Sequence, residues 1–176
     1  PHYQPAYVLP VDGWIMERTK QTIIGAAKWL NEYEIGLARK NIDELFWKDF
    51  CDYYIEIVKE RLYRPDLHGY EERRSAQYAL FYSLSNILKM YAIYIPYETE
   101  YIYLKGLAKF VGAISIHLTE WPKPVVVDQA LLAFGETLKQ AIAKVRKYKS
   151  ENNLSLRAEI DHAVINGEKR FERWLK

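Results

Sequence analysis

One cysteine, Cys51, is all the sequence has, so no internal disulfide can hold the chain together. Its neighbours Phe46, Trp47, Phe50, Tyr53 and Tyr54 point instead to a buried structural thiol. Glycine is scarce as well: eight residues are scattered with no G-x-G-x-x-G and no G-x-x-x-x-G-K-[ST], which removes the common phosphate-cradling loops. The histidines His2, His68, His117 and His162 lie far apart, so no helix carries two metal ligands at i, i+3 or i, i+4, and only a cluster assembled by folding stays open. No serine sits in G-x-S-x-G. No apolar run approaches the roughly 18 residues of a membrane span, and residues 1 to 9 lack a basic start followed by an apolar stretch. The expectation is a cytoplasmic protein that meets no membrane. The net charge of +2 is too small to argue for nucleic acid by itself.

What is present is a folding composition, 49% apolar and 27% charged, over 176 residues. That length buries one core, with room for a small appendage. Fifteen tyrosines and five tryptophans make an aromatic-rich chain. Most serve as packing rings with their polar tips at the rim, and stacking on bases, worth about 1 to 3 kcal/mol each, is the other use open to them. The first residue is Pro1 with no initiating Met, which suggests a fragment of something longer.

Apolar spacing of three and four predicts a helix over about 12 to 33, with Asp12 as its acidic cap. A long second helix follows over about 35 to 64, stopped by Arg64-Pro65. A third spans 71 to 94 and ends at Pro96, and a short fourth covers 99 to 110. Ala113 to Leu118 reads as a strand-like extended segment. Asp128 caps a last long helix reaching about Asn152. The expected fold is all-α, an antiparallel helix bundle over 1–152, with a small mixed C-terminal extension over 153–176.

The second helix carries the candidate site. At 100° per residue, Lys48, Asp52, Ile55, Glu56, Lys59 and Tyr63 fall together, broadly opposite Phe46, Trp47, Phe50, Tyr54, Ile57 and Val58. Spacing alone favours a solvated stripe held by ion pairs such as Glu56 with Lys59, worth tenths of a kcal/mol. Asp52 and Glu56 as an acid/base pair have no more support than many surface acids. Arg61, Arg64, Arg73 and Arg74 gather near one end of the second and third helices, where a phosphate backbone could dock, although a charged bundle end is equally ordinary.

The run Phe46-Trp47-Lys48-Asp49-Phe50-Cys51-Asp52-Tyr53-Tyr54-Ile55-Glu56-Ile57-Val58-Lys59 resembles the F-W-x-x-F-C-D-x-Y-[IL]-E-x-x-K segment of valyl-tRNA synthetases, within their helical anticodon-binding domain. Val11-Asp12-Gly13-Trp14-Ile15 is similar to that family's D-x-W-I-L opening. Ser115-Ile116-His117 with Trp121-Pro122 resembles its S-[IV]-H-x-x-x-W-P, and Val145-Arg146-Lys147-Tyr148-Lys149 its V-R-x-L-K. Near Tyr94 to Glu100 the family's histidine-proline pair is absent. The resemblance implies tRNA(Val) as partner, bound through its anticodon, and a parent enzyme, valine–tRNA ligase, that uses ATP and magnesium elsewhere. The H-I-G-H and K-M-S-K-S signatures of that chemistry do not occur here, so the expectation is a part that is not catalytic alone, binds no cofactor itself, acts as a monomer and lacks the domain's first helix upstream. By the same resemblance the site is Asp52, Ile55, Glu56, Lys59 and Arg61: Ile55 touching a base, Glu56 accepting from exocyclic amines, Lys59 or Arg61 holding phosphate. The competing readings are a sister isoleucyl or leucyl domain, or a helical interaction module that binds no RNA.

Overall fold

Proline suits the first turn of a helix, where its missing N–H has no partner to lose, and Pro10 takes that place in α1 (Pro10–Asn31). The computed structural model describes residues 4–123, 126–155, 158 and 171. After α1 the chain turns at Tyr33, whose φ is 61°. It then runs through α2 (Ile35–Asp43), a π-helical segment (Glu44–Ile55) and α3 (Glu56–Tyr63). Residues at both junctions keep right-handed helical dihedrals, so this is one rod whose middle is wound more widely. Arg64-Pro65 stops it as expected, and the short turn α4 (Pro65–His68) leads to Gly69 at φ 105°, a conformation that favours glycine.

Next come α5 (Tyr70–Tyr91), α6 (Pro96–Gly106), α7 (Ala108–Val111), a 3-10 turn at Ile116–Leu118, and α8 (Gln129–Glu151). Among the described residues there is no strand, and the expected all-α fold is what forms. α1 packs on α2, α5 and α8. The main core is Trp14, Ile15 and Ile23 of α1, Leu45, Phe50 and Tyr54 of the π segment, Ile87 and Met90 of α5, and Phe134 of α8. A smaller cluster, Leu88, Tyr103, Leu107 and Ile116, joins the far end of α5 to α6. α8 rests on α1 at Gly135, where an added Cβ would lie 1.9 Å from Trp14 Cδ1. Phe171, from the expected extension, is buried with its ring centroid 5.7 Å from that of Phe134. Most of the remainder of 153–176 lies outside the described residues.

Three local expectations are corrected. Asp12 does not cap α1; it lies inside the first turn, fully buried, because side chains from three other helices converge on it. Pro96 does not end the third helix, which has already stopped at Tyr91; it opens α6. Ala113 to Leu118 is not a strand. Ile116 turns inward while Ile114 and Leu118 stay exposed, and the Ser115 hydroxyl accepts from His117 N at 3.1 Å to cap the 3-10 turn. The expected cap of α8 does form: Asp128 Oδ1 accepts from Ala130 N at 2.8 Å, and Asp128 N donates to Glu17 Oε2 at 2.9 Å.

Candidate nucleic-acid interface

An i→i+5 ladder carries more residues per turn than an α-helix, so residues four or five apart share a face. The buried positions of the π segment and α3 follow that rule: Leu45, Asp49 and Phe50, Tyr54, Val58. The exposed positions do likewise, through Trp47 and Lys48, Asp52, and Glu56. Winding at 3.6 residues per turn had put Trp47 among the packing residues. The wider turn carries it outward, and 61% of it is exposed. Phe46 stays behind against the core, its ring centroid 4.8 Å from that of Trp47.

Four of the five site residues come together on the solvent side of this rod. Asp52 and Glu56 are exposed, one turn apart, and Lys59 Nζ stands 3.1 Å from Glu56 Oε1, with both side chains more than half exposed. Ile55 lies at the edge of the stripe, half-buried against the core. Arg61 is the exception. It faces inward and holds Asp12 in a bidentate pair, Nη2 to Oδ1 at 2.7 Å and Nη1 to Oδ2 at 3.0 Å, while Nη1 also donates to the Glu72 carbonyl at 3.1 Å. The expectation that Arg61 holds phosphate is therefore corrected: two residues past Lys59 on α3, it lies on the other side of the helix.

Asp12 is the hub of that inner side. Tyr54 donates its hydroxyl to Asp12 Oδ1 at 2.7 Å and Ser75 donates to Oδ2 at 2.5 Å, so α1, the π segment, α3 and α5 meet on one carboxylate. Burial, reinforced by the Asp12 charge, pushes the Tyr54 hydroxyl well above its ordinary range. A second buried carboxylate, Asp49, joins the π segment to α1 and α8: Arg18 Nε reaches Oδ2 and Lys139 Nζ reaches Oδ1, each at 2.7 Å. Burial disfavours the Lys139 charge, but its hydrogen bonds to Asp49 and Glu136 outweigh that and raise its pKa.

Beside Asp49 a cleft of about 470 Å³ opens between the π segment and α8, lined by Lys48, Asp52, Tyr53, Lys139 and Gln140 among others. Arg146 of α8 reaches across at its edge. Its Nη2 donates to the Asp52 carbonyl at 3.0 Å, and its guanidinium lies over the Tyr53 ring at 5.0 Å from the centroid. Sequence reasoning had not placed Arg146 here, since nothing local to α8 encodes its distance from Asp52. Asp12 did leave a signal, as an acid at a position where the helical period calls for an apolar residue, whereas Asp49 falls beside the polar stripe at 100° per residue and is turned inward by the wider winding. Of the basic cluster, Arg64 stands 3.9 Å from Glu60 and Arg74 2.6 Å from Glu71, so acids meet the charge of these two. Cys51 is half-buried rather than buried, and burial together with the Asp52 charge raises its thiol pKa, which disfavours the reactive thiolate.

This bundle, with a mixed polar stripe on its widened second rod, matches the family model described as the anticodon-binding domain of tRNA ligase over residues 12–165. The chain belongs to that family. Among relatives, it is 31% identical to the valine–tRNA ligase of Thermococcus kodakarensis over 94% of this chain and 18% of that protein. It is 31% identical to the enzyme of the same name from Pyrococcus horikoshii over 97% of this chain and 19% of the relative, and 35% identical to that of Ehrlichia canis over 89% and 19%. The chain thus spans less than a fifth of the length of these relatives.

Proposed function

We propose that this chain reads the anticodon of tRNA(Val) as one part of a valine–tRNA ligase. The observation that carries the reading is the exposed stripe Asp52, Glu56 and Lys59, with Ile55 at its edge, on a domain whose family is defined by anticodon binding. Single-stranded bases are recognised where apolar surface and hydrogen-bonding groups lie side by side. Ile55 offers the first, and the Glu56 carboxylate accepts from an exocyclic amine. Lys59 holds the backbone, since Arg61 is committed to Asp12. Valine as the cognate amino acid rests on the relatives' names and on the segment from Phe46 to Lys59.

Adenylate formation and aminoacyl transfer, with ATP and magnesium, belong in this reading to the rest of a monomeric cytoplasmic enzyme. No helix among the described residues is long and apolar enough to cross a membrane. The test is a gel shift of this chain with tRNA(Val), and with tRNAs for isoleucine and leucine, at two salt concentrations. Tight binding to tRNA(Val) that weakens steeply with salt supports the proposal. Equal affinity for all three tRNAs removes the valine assignment, and no shift at either salt removes RNA binding.

A further inference from the structure

The stripe along the rod is close to electrically neutral. Lys59 is paired with Glu56, and Lys48 and Asp52 bring one charge of each sign. On the α8 side of the cleft Lys139 is shared by Asp49 and Glu136, and Lys147 lies 3.7 Å from Glu151. A strand of RNA brings a negative charge with every nucleotide, so this face must offer a cation not already neutralised by a neighbouring acid. Lys48, exposed on the stripe, is one such cation, and Arg146 is a second that is also held in place. Its contacts are a carbonyl oxygen and an aromatic ring, which fix the guanidinium without cancelling its charge. An arginine held over a ring has less freedom to lose on binding, and its planar fork keeps further N–H donors for phosphate oxygens.

The position fits as well. Arg146 lies one turn beyond Ala143, which lines the cleft with Lys139 and Gln140, so the same face of α8 leads to it. Its bond to the Asp52 carbonyl puts it beside the stripe that carries Ile55 and Glu56. We propose that Arg146 binds a backbone phosphate of the RNA strand whose base faces Ile55 and Glu56, making α8 the second wall of the site. This rests on the RNA-binding reading above.

The experiment uses the 176-residue chain and a synthetic anticodon stem-loop of a valine tRNA, with Kd measured over a series of KCl concentrations for the unaltered protein, Arg146→Ala, Arg146→Lys and Lys147→Ala. Arg146→Ala is expected to weaken binding roughly tenfold, the usual scale of a charge-assisted hydrogen bond, and to lower the salt slope by about one. Arg146→Lys restores the slope while recovering only part of the affinity, because the charge returns without the planar fork. Lys147→Ala changes neither by a comparable amount. Thermal melting of each variant accompanies the titrations. An unchanged salt slope in Arg146→Ala overturns the proposal, as does a loss of affinity that tracks only a lowered Tm. Failure of the unaltered protein to bind the stem-loop overturns the RNA-binding reading itself, a separate outcome from failure of Arg146 alone.

Discussion

Two ion pairs on neighbouring turns of α3 have opposite surroundings. Arg61 with Asp12 is buried, joined by Tyr54 and Ser75, and ties four helical segments together. Glu56 with Lys59 is more than half exposed, three residues apart on one helix, and ties nothing to anything else. The chemistry of the two pairs is nearly the same, and burial decides what each does. A charge taken out of water must keep its partners, because losing one strands the other in a poor solvent, whereas an exposed pair exchanges its partner for water at little cost. The inner pair is therefore free to hold the fold, and the outer pair is free to change partners. That is what a group meant to meet RNA requires.

The sharpest way to break this comparison is to remove Asp12. Asp12→Ala leaves Arg61 buried without its carboxylate and should cost about 3 to 5 kcal/mol of stability, read from urea unfolding followed by circular dichroism. A loss below about 1 kcal/mol would mean that water reaches this site and that the contrast with the outer pair is false. Next comes alkaline pH. Because the Tyr54 hydroxyl is raised well above 10.0 in the folded protein, its contribution is complete below that unfolded value and lost as pH rises through the folded one. Stability should fall above about pH 10, and Tyr54→Phe should flatten that fall. An identical alkaline limb in Tyr54→Phe would assign the pH dependence to other groups.

At the outer pair the expected effects are smaller and lie mainly in RNA binding. Glu56→Ala should weaken discrimination between cognate and anticodon-altered tRNA by roughly 1 to 3 kcal/mol while changing stability by only tenths of a kcal/mol. Unaltered discrimination by a folded Glu56→Ala protein would end its role in reading a base. Lys59→Ala is the mildest, weakening all tRNAs alike and reducing the salt slope by about one.

The long helices were legible because their apolar residues recur every three or four positions and their ends carry local chemistry, as at Arg64-Pro65 and the Asp128 cap. The π segment was not. A 3.6-residue period fits Phe46, Phe50 and Tyr54 about as well as a wider turn does, and the fates of Trp47 and Asp49 separate the two. Asp12 looked like a cap because it is an acid ahead of apolar residues, and its actual partners lie on other helices, distant in sequence. Arg61 was misplaced for the same reason. The stripe from Asp52 to Lys59 survived because Glu56 and Lys59 lie where winding returns to the α form.

Wide winding also sets a phase. From Glu44 to Ile55 the chain completes fewer revolutions than the same residues would in an α-helix, so the angular position of everything downstream depends on how much of the rod is wound this way. Relative to the helices before Glu44, the directions of Arg61 and Lys59 are set by this amount of π winding. A residue inserted or removed in this stretch would therefore have to be absorbed by a change of winding, or it would rotate the inner anchor and the outer stripe together off their marks. The segment acts as a gear between the core and the surface, and single-residue insertions and deletions are the steps by which it turns.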